Sequence, residues 1–427
     1  MTAARWPQNY ASPHRRAAST FVDCSNAANI TDFGSFAGGT PTKETDPSVT
    51  LNGAATTKIV VPQGVTRLDF GIASGFVPPL GWDGTLLVAV RVDDASRIDI
   101  AGASMVLYLG DSGYANIYTG TYGGSAPANY GYMNPGEWNY IKFMPERYAV
   151  SAGSPTFAGT ARCKVRFNLD AGSAACNIWI GGFFLPVAAR AKVALVLDDA
   201  YDEHYSFAAV EAATYNVPIN IAVPSDLVDT ANFMTTAQCR ELAAQPELYA
   251  LLNHSNDNTF YTVAGLSGML GRFNACRDWL RENGCDFNSS ASHTVYPGGF
   301  YDASLSAALR DDGFLTGRGA STSVLIPYLP TYAENDPQMF GLPLVDSLSN
   351  ARTITQVKAS IDRIINYGGL GVIMAHNFDV SAGALQWAEA DFTALLQYIA
   401  LKRSQGLIDA VTIPQWHAGL TQPALVA

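Results

Sequence analysis

Four apolar runs in this chain end in side chains that can do acid–base or metal chemistry. The run 193–197 ends in two adjacent carboxylates, Asp198 and Asp199. The run 248–252 leads into Asn253-His254-Ser255-Asn256-Asp257-Asn258, 293–296 ends in Tyr296-Pro297-Gly298-Gly299, and 370–374 leads into Ala375-His376-Asn377. Adjacent carboxylates repel each other unless a cation or a shared proton relieves them. Taken singly, each end has a plain alternative. An Asp after a strand is often a helix cap, Tyr-Pro-Gly-Gly is a turn, and a lone His is a satisfied loop residue. Together they supply oxygen and imidazole ligands, a backbone N–H donor and an acid–base pair. Those are the parts needed for metal-assisted hydrolysis of an acyl group.

The elements that would position these groups follow from the pattern around them. The run 193–197 has no polar alternation and reads as a strand buried on both faces. After Pro186 strand-like and helical runs alternate, as an α/β domain requires. Strands are expected at 193–197, 219–223, 248–252, 293–296, 370–374 and 410–413. Helices are expected at 204–215, 235–245, 262–283, 302–312, 354–366 and 387–403. In (β/α) barrels the C-terminal strand ends build the active site, which is where the polar groups fall.

The front of the chain differs. Residues 1–20 read as a flexible arm. Residues 21–188 carry strand-like runs at 57–61, 85–92, 104–109, 138–143, 162–169 and 177–180, separated by Gly, Asn, Asp and Pro clusters. Arg162 to Leu169 alternates cleanly, with apolar residues on one face. Short strands in this spacing read as a β-sandwich. Pro135-Gly136-Glu137-Trp138 before a strand resembles jelly-roll modules attached to carbohydrate-active proteins. The Tyr- and Gly-rich run 114–132 would serve glycan binding, or pack as an aromatic loop; a structural spacer or subunit contact is a third role. The fold class expected is thus multidomain β + α/β: a jelly-roll-like β-sandwich (21–188) followed by a distorted (β/α) barrel (189–427).

Composition narrows the partners. The 427 residues carry a formal net charge of −11, which disfavours a nucleic-acid backbone. No apolar run is long enough to span a bilayer. The six cysteines form no CxxC pair and are expected as free, buried thiols. No signal peptide is visible, which leads to the expectation of a virion component or a protein released by lysis, alone, as a homo-oligomer or with virion proteins.

Residues 190–420 resemble the polysaccharide deacetylase family, carbohydrate esterase family 4, with its NodB-homology fold. Val196-Leu197-Asp198-Asp199-Ala200 matches the family's T-F-D-D-G, with Ala200 in place of Gly. His254-Ser255-Asn256-Asp257-Asn258 matches H-S/T-x-x-H, with Asn258 where the second His stands. Tyr296-Pro297-Gly298-Gly299 resembles R-x-P-Y-G, and Met374-Ala375-His376 resembles L-x-H. The resemblance implies a divalent metal, usually zinc, held by Asp199, His254 and Asn258, with Asp257 as an alternative third ligand. It implies Asp198 as general base, His376 as general acid, and Tyr296, Pro297 and Gly298 at the oxyanion and substrate. The family's orienting Arg is missing from its motif, with Arg318 as a replacement, and its D-x-W segment is not recognisable, although Asp346 lies in that region. The function expected is removal of N- or O-acetyl groups from a polysaccharide, with the surface glycan of a bacterium as the expected substrate. The alternative is a glycan-binding or adhesin-like protein on a barrel impaired in catalysis.

Overall fold

The structure is a computed structural model. It describes residues 19–32, 41–46, 49–51, 55–72, 75–78, 82–94, 97–98, 105–122, 138–143, 145, 148–170, 174–185, 191–322, 337–367, 369–378 and 385–421. Two compact units divide the chain, one spanning residues 18–187 and the other containing residues 188–427. Most of the run 114–132, and Pro135-Gly136-Glu137, lie outside the described residues, as does the arm at 1–18.

The front unit is antiparallel throughout. Its described strands are β1 (Ser19–Asp23), β2 (Ile30–Asp32), β3 (Thr42–Glu44), β4 (Thr56–Val61), β5 (Arg67–Ile72), β6 (Leu86–Val92), β7 (Met105–Gly110), β8 (Ile117–Tyr122), β9 (Trp138–Phe143), β10 (Tyr148–Ala152), β11 (Arg162–Asn168) and β12 (Cys176–Leu185). One sheet runs β3-β4-β12-β6-β9, with β1 also on β12; the other runs β10-β8-β7-β11-β5-β2. Alternate side chains point to one face. Leu68 and Phe70 of β5, Leu107 of β7, and Val165 and Phe167 of β11 therefore join Ile59 of β4, Val88 and Val90 of β6, and Ile178 of β12 in one apolar cluster.

Two polar devices tie this unit together. The buried Arg97 donates to the backbone carbonyls of Asp170 (2.8 Å), Val65 (3.0 Å), Pro62 (3.4 Å) and Ala174. Asp69, also buried, accepts from Arg166 (2.8 and 3.1 Å) and Arg67 (2.5 Å), with the Lys164 ammonium 3.7 Å away. Burial alone would raise the Asp69 pKa, but the bonds from Arg166 and Arg67 outweigh it and hold the pKa down at about 2. A depressed carboxyl stabilises the fold above its unfolded pKa and loses that contribution as the pH falls through the folded one. Between about pH 5 and about pH 2 the wild type is expected to lose on the order of 1–2 kcal/mol more than Asp69→Asn; the exposure of Arg67 keeps the figure low. Urea titrations of both proteins at the two pH values check this.

The second unit is a parallel sheet with interleaved helices. Its strands are β13 (Ala191–Leu197), β14 (Ile219–Val223), β15 (Tyr249–Asn253), β16 (His293–Val295), β17 (Thr316–Thr322), β18 (Leu342–Ser347), β19 (Leu370–Ala375) and β20 (Ile408–Ala410). Its helices are α1 (Val210–Thr214), α2 (Thr236–Ala243), α3 (Tyr261–Glu282), α4 (Ala303–Asp311), α5 (Ile354–Tyr367), α6 (Glu389–Ser404) and α7 (Ile413–Thr421). Pairing runs from β14 through β15, β16, β17, β18 and β19 to β13, and β13 also pairs with β14. The sheet thus curls nearly closed into a barrel. One edge of β13 is shared: Ala191–Val193 pair with β20, and Leu195–Leu197 pair with β14. All seven residues of β13 are buried, as the apolar run 193–197 requires, and the buried Lys192 pairs with Asp409.

Some elements differ from the sequence expectation. A strand was expected at 410–413; the strand ends at Ala410, and Ile413 starts α7. Thr412 and Gln415 explain the switch. The Gln415 N–H donates to Thr412 Oγ1 (3.2 Å) and the Thr412 N–H to Gln415 Oε1 (2.9 Å), a reciprocal helix-capping pair. The stretch 204–215 begins as a π-helical turn, His204–Ala209, before α1. All six cysteines are buried and none is in a disulfide, and no described helix is long and apolar enough to cross a membrane.

Candidate active site

Because the barrel strands are parallel, their C-terminal ends share one rim. Asp198 follows β13, His254 follows β15, Tyr296 follows β16 and His376 follows β19. The Asp198 N–H donates to the Ala375 carbonyl (2.8 Å), which ties the first motif to the last.

Asp198 and Arg318 form a buried ion pair across the barrel. Arg318 Nη2 reaches both carboxylate oxygens, at 2.5 Å for Oδ1, and the two side chains are 5% and 2% exposed. The Arg318 Nη1 donates to the Gly319 carbonyl (3.2 Å) and lies 3.2 Å from Met374 Sδ. β17 can bring this arginine in because its flanking glycines leave room. A Cβ on Gly317 would lie 2.1 Å from the Tyr296 hydroxyl, and one on Gly319 would lie 2.8 Å from the Tyr301 ring.

Asp199, His254 and Asn258 come together. His254 Nδ1 lies 2.8 Å from the Val295 carbonyl, so it carries the proton and donates. That leaves Nε2, 3.3 Å from Asp199 Oδ1, as the position facing the carboxylate. Asn258 Nδ2 donates to the same Oδ1 at 2.7 Å. Burial pushes the Asp199 carboxyl up, but the His254 hydrogen bond and the nearby imidazoles override it and hold it well below the usual carboxylate range. Burial likewise pushes His254 down, and the Asp199 and Asp198 carboxylates carry it above the ordinary value. Asp257 turns elsewhere, accepting from the Thr259 N–H (3.1 Å) and pairing with Arg272 (3.2 Å).

The backbone at this rim is strained. Asp199 (φ 78°), Ala200 (53°), Ser255 (62°), Asn258 (61°) and Gly298 (63°) are all left-handed. Such conformations cost roughly 1 kcal/mol or more each outside glycine and collect at functional sites. At Ala200 a glycine would adopt the same conformation without that cost.

Among the described residues, no three His, Cys, Asp or Glu side chains converge as a metal site. The donors present still fit two positions of a zinc-type centre, one carboxylate and one imidazole whose far nitrogen is anchored on a carbonyl. The third donor is an amide. With a half-turn of its terminal torsion, Asn258 presents its oxygen in place of its nitrogen.

The remaining expected residues are placed as follows. Gly298 is exposed on the turn after Tyr296, and Pro297 is buried beneath it. The Tyr296 side chain is buried, with its hydroxyl donating to the Phe340 carbonyl (3.0 Å) and its ring stacked on Tyr301. His376 is half-buried and its Nδ1 has no protein partner. Asp346 does not supply one: it is held by Arg352 (2.8 and 2.6 Å) and Ser360 (2.7 Å).

Two residues at this rim carry no motif signal. His204, fully buried, places Nε2 on the His376 carbonyl, and burial lowers its pKa to about 4. Tyr201 stacks on Phe233 at 5.2 Å. Burial and the adjacent Asp199 carboxylate push its phenol up to about 12. A π-helical turn directly after the paired carboxylates is the kind of irregularity that marks functional sites, but it is not readable from Glu203-His204-Tyr205.

No family model and no curated protein matches the sequence. Solved structures match loosely. A family 4 carbohydrate esterase from Streptomyces lividans in complex with acetate is 14% identical, with 53% of this chain and 96% of that chain covered and a TM-score of 0.36. A family 4 acetyl xylan esterase from Clostridium thermocellum in complex with a cobalt ion is 15% identical, covering 52% and 88%, at 0.35. A Streptococcus pyogenes deacetylase in complex with acetate is 15% identical, at 0.30; the match covers 35% of this chain and 61% of that one. Resemblance this loose leaves the site to be argued from its own residues.

Proposed function

We propose that residues 189–427 are a metal-dependent deacetylase of acetylated polysaccharides, built on a distorted (β/α) barrel behind a jelly-roll-like sandwich. The observation that carries this reading is the convergence of Asp198 on Arg318, and of Asp199 with His254 and Asn258, at the rim where His376 and Gly298 also emerge.

Asp199, His254 and the Asn258 amide oxygen would hold the cation. Bound there, a divalent ion such as zinc polarises a carbonyl and makes water a better nucleophile. Asp198, its carboxylate oriented by Arg318, takes the proton from the water that attacks the acetyl carbon. The Gly298 N–H stabilises the oxyanion. His376 donates a proton to the sugar nitrogen or oxygen as its bond to the acetyl carbon breaks, yielding acetate.

A second reading has its own support. The third ligand position holds an amide whose nitrogen faces Asp199. That favours a barrel that binds glycan without turnover. Acetate release from acetylated xylan and chitooligosaccharides separates the two: the deacetylase reading expects release, and the binding reading expects affinity without it.

A further inference from the structure

Large apolar side chains stand exposed beside the candidate site. Phe260 is 44% exposed, Val263 78% and Leu266 40%, all within the segment that opens α3, just after Asn258. Phe260 packs only partly, its ring 5.5 Å from that of Phe300 at an angle of 49°. Both rings border Gly298. A Cβ there would lie 2.8 Å from Phe300 Cδ2 and Cε2 and 3.0 Å from Phe260 Cε1. An exposed Phe260 ring backed by a half-buried Phe300 therefore adjoins the backbone that would hold the oxyanion.

A contiguous apolar patch left in water is the kind of surface that binds a ligand or partner. A pyranose ring is amphipathic: its C–H face covers an aromatic ring while its hydroxyls stay available to polar groups. The chain's net charge of −11 disfavours a polyanionic glycan. We propose that Phe260 and Phe300 form the wall on which a pyranose of an uncharged acetylated glycan stacks, placing its acetyl group at Gly298. This rests on reading the site as a glycan deacetylase, and it names the substrate class and the residues that select it.

The test is the affinity of the full chain for penta-N-acetylchitopentaose and for acetylated xylan, by calorimetry, alongside acetate release. Phe260→Ala is expected to weaken binding of at least one probe about tenfold. Phe260→Leu, apolar but not aromatic, weakens it nearly as much, and Phe260→Trp binds within about twofold of wild type. Unchanged affinity in Phe260→Ala overturns the inference, as does failure of the wild type to bind either probe. Acetate release with Phe260-independent affinity removes the wall and leaves the deacetylase. Phe260-dependent affinity without acetate release keeps the wall and removes the deacetylase.

Discussion

Asp198→Asn is expected to release acetate about 10³-fold more slowly than wild type, within the range for loss of a general base. It is also expected to unfold more easily, by about 3–5 kcal/mol, because Arg318 stays buried without its counter-charge. Arg318 is 2% exposed and sends Nη2 to both Asp198 oxygens. A loss of activity alone would therefore be ambiguous. The companion is the double variant Asp198→Asn/Arg318→Met, which removes both charges and keeps the volume. Replacing a buried ion pair by groups of similar shape is often neutral, so the double variant should regain most of the stability and none of the activity. Denaturant midpoints and initial rates on the four proteins of the cycle measure this. A double variant that regains activity would show that Asp198 is structural.

Arg97→Met is expected to destabilise the front unit by about 3–5 kcal/mol, because it removes a buried charged donor shared by four backbone carbonyls, and hydrogen bonds to charged groups contribute about 1.5–3 kcal/mol each. Arg97 is 1% exposed and donates to Pro62, Val65, Asp170 and Ala174. A single guanidinium thus ties together loops far apart in sequence. Lysine cannot replace it, since an ammonium lacks the planar fork that reaches several carbonyls at once. Arg97→Lys should fall between wild type and Arg97→Met. At about 2–4 °C per kcal/mol for a unit of this size, Arg97→Met should melt about 6–20 °C below wild type, as scanning calorimetry would show. A shift within about 2 °C would mean that water replaces the guanidinium at those carbonyls.

Hydrophobic pattern made the positioning strands legible. β13, β14 and β19 are mostly apolar, broken only by Lys192 and Asn220, and each lies within a residue or two of its expected span. β17 and β18 escaped. Thr316-Gly317-Arg318-Gly319 has no apolar alternation because its glycines make way for the Tyr296 and Tyr301 rings. Leu342-Pro343-Leu344 carries a proline, tolerated where the register to β17 is shifted. Without those two strands a barrel could be expected but not closed. α7 was readable in principle, since Thr412-Ile413-Pro414-Gln415 has capping-box spacing with Pro early in the helix.

At the site, residue types pointed to candidate side chains, while their pairings needed three dimensions. Arg318 was nameable as a partner for Asp198, and the structure brings the two into contact. The burial of Tyr296 on the Phe340 carbonyl was not readable, because it depends on an element 44 residues away. His204 was equally hidden: its contact is with a backbone carbonyl 172 residues on, which leaves no trace in sequence spacing.

The central claim is that Asp199, His254 and Asn258 hold one cation that the reaction needs. Its most direct test is acetate release by chelator-stripped protein titrated with zinc, using acetylated xylan and chitooligosaccharides. Release should be absent without metal, rise to a plateau at about one equivalent, and stay absent at every zinc level in His254→Ala, because a zinc site rests on its strong ligands. Full activity in the stripped protein, or no acetate at any zinc level from any of these glycans, would contradict the account.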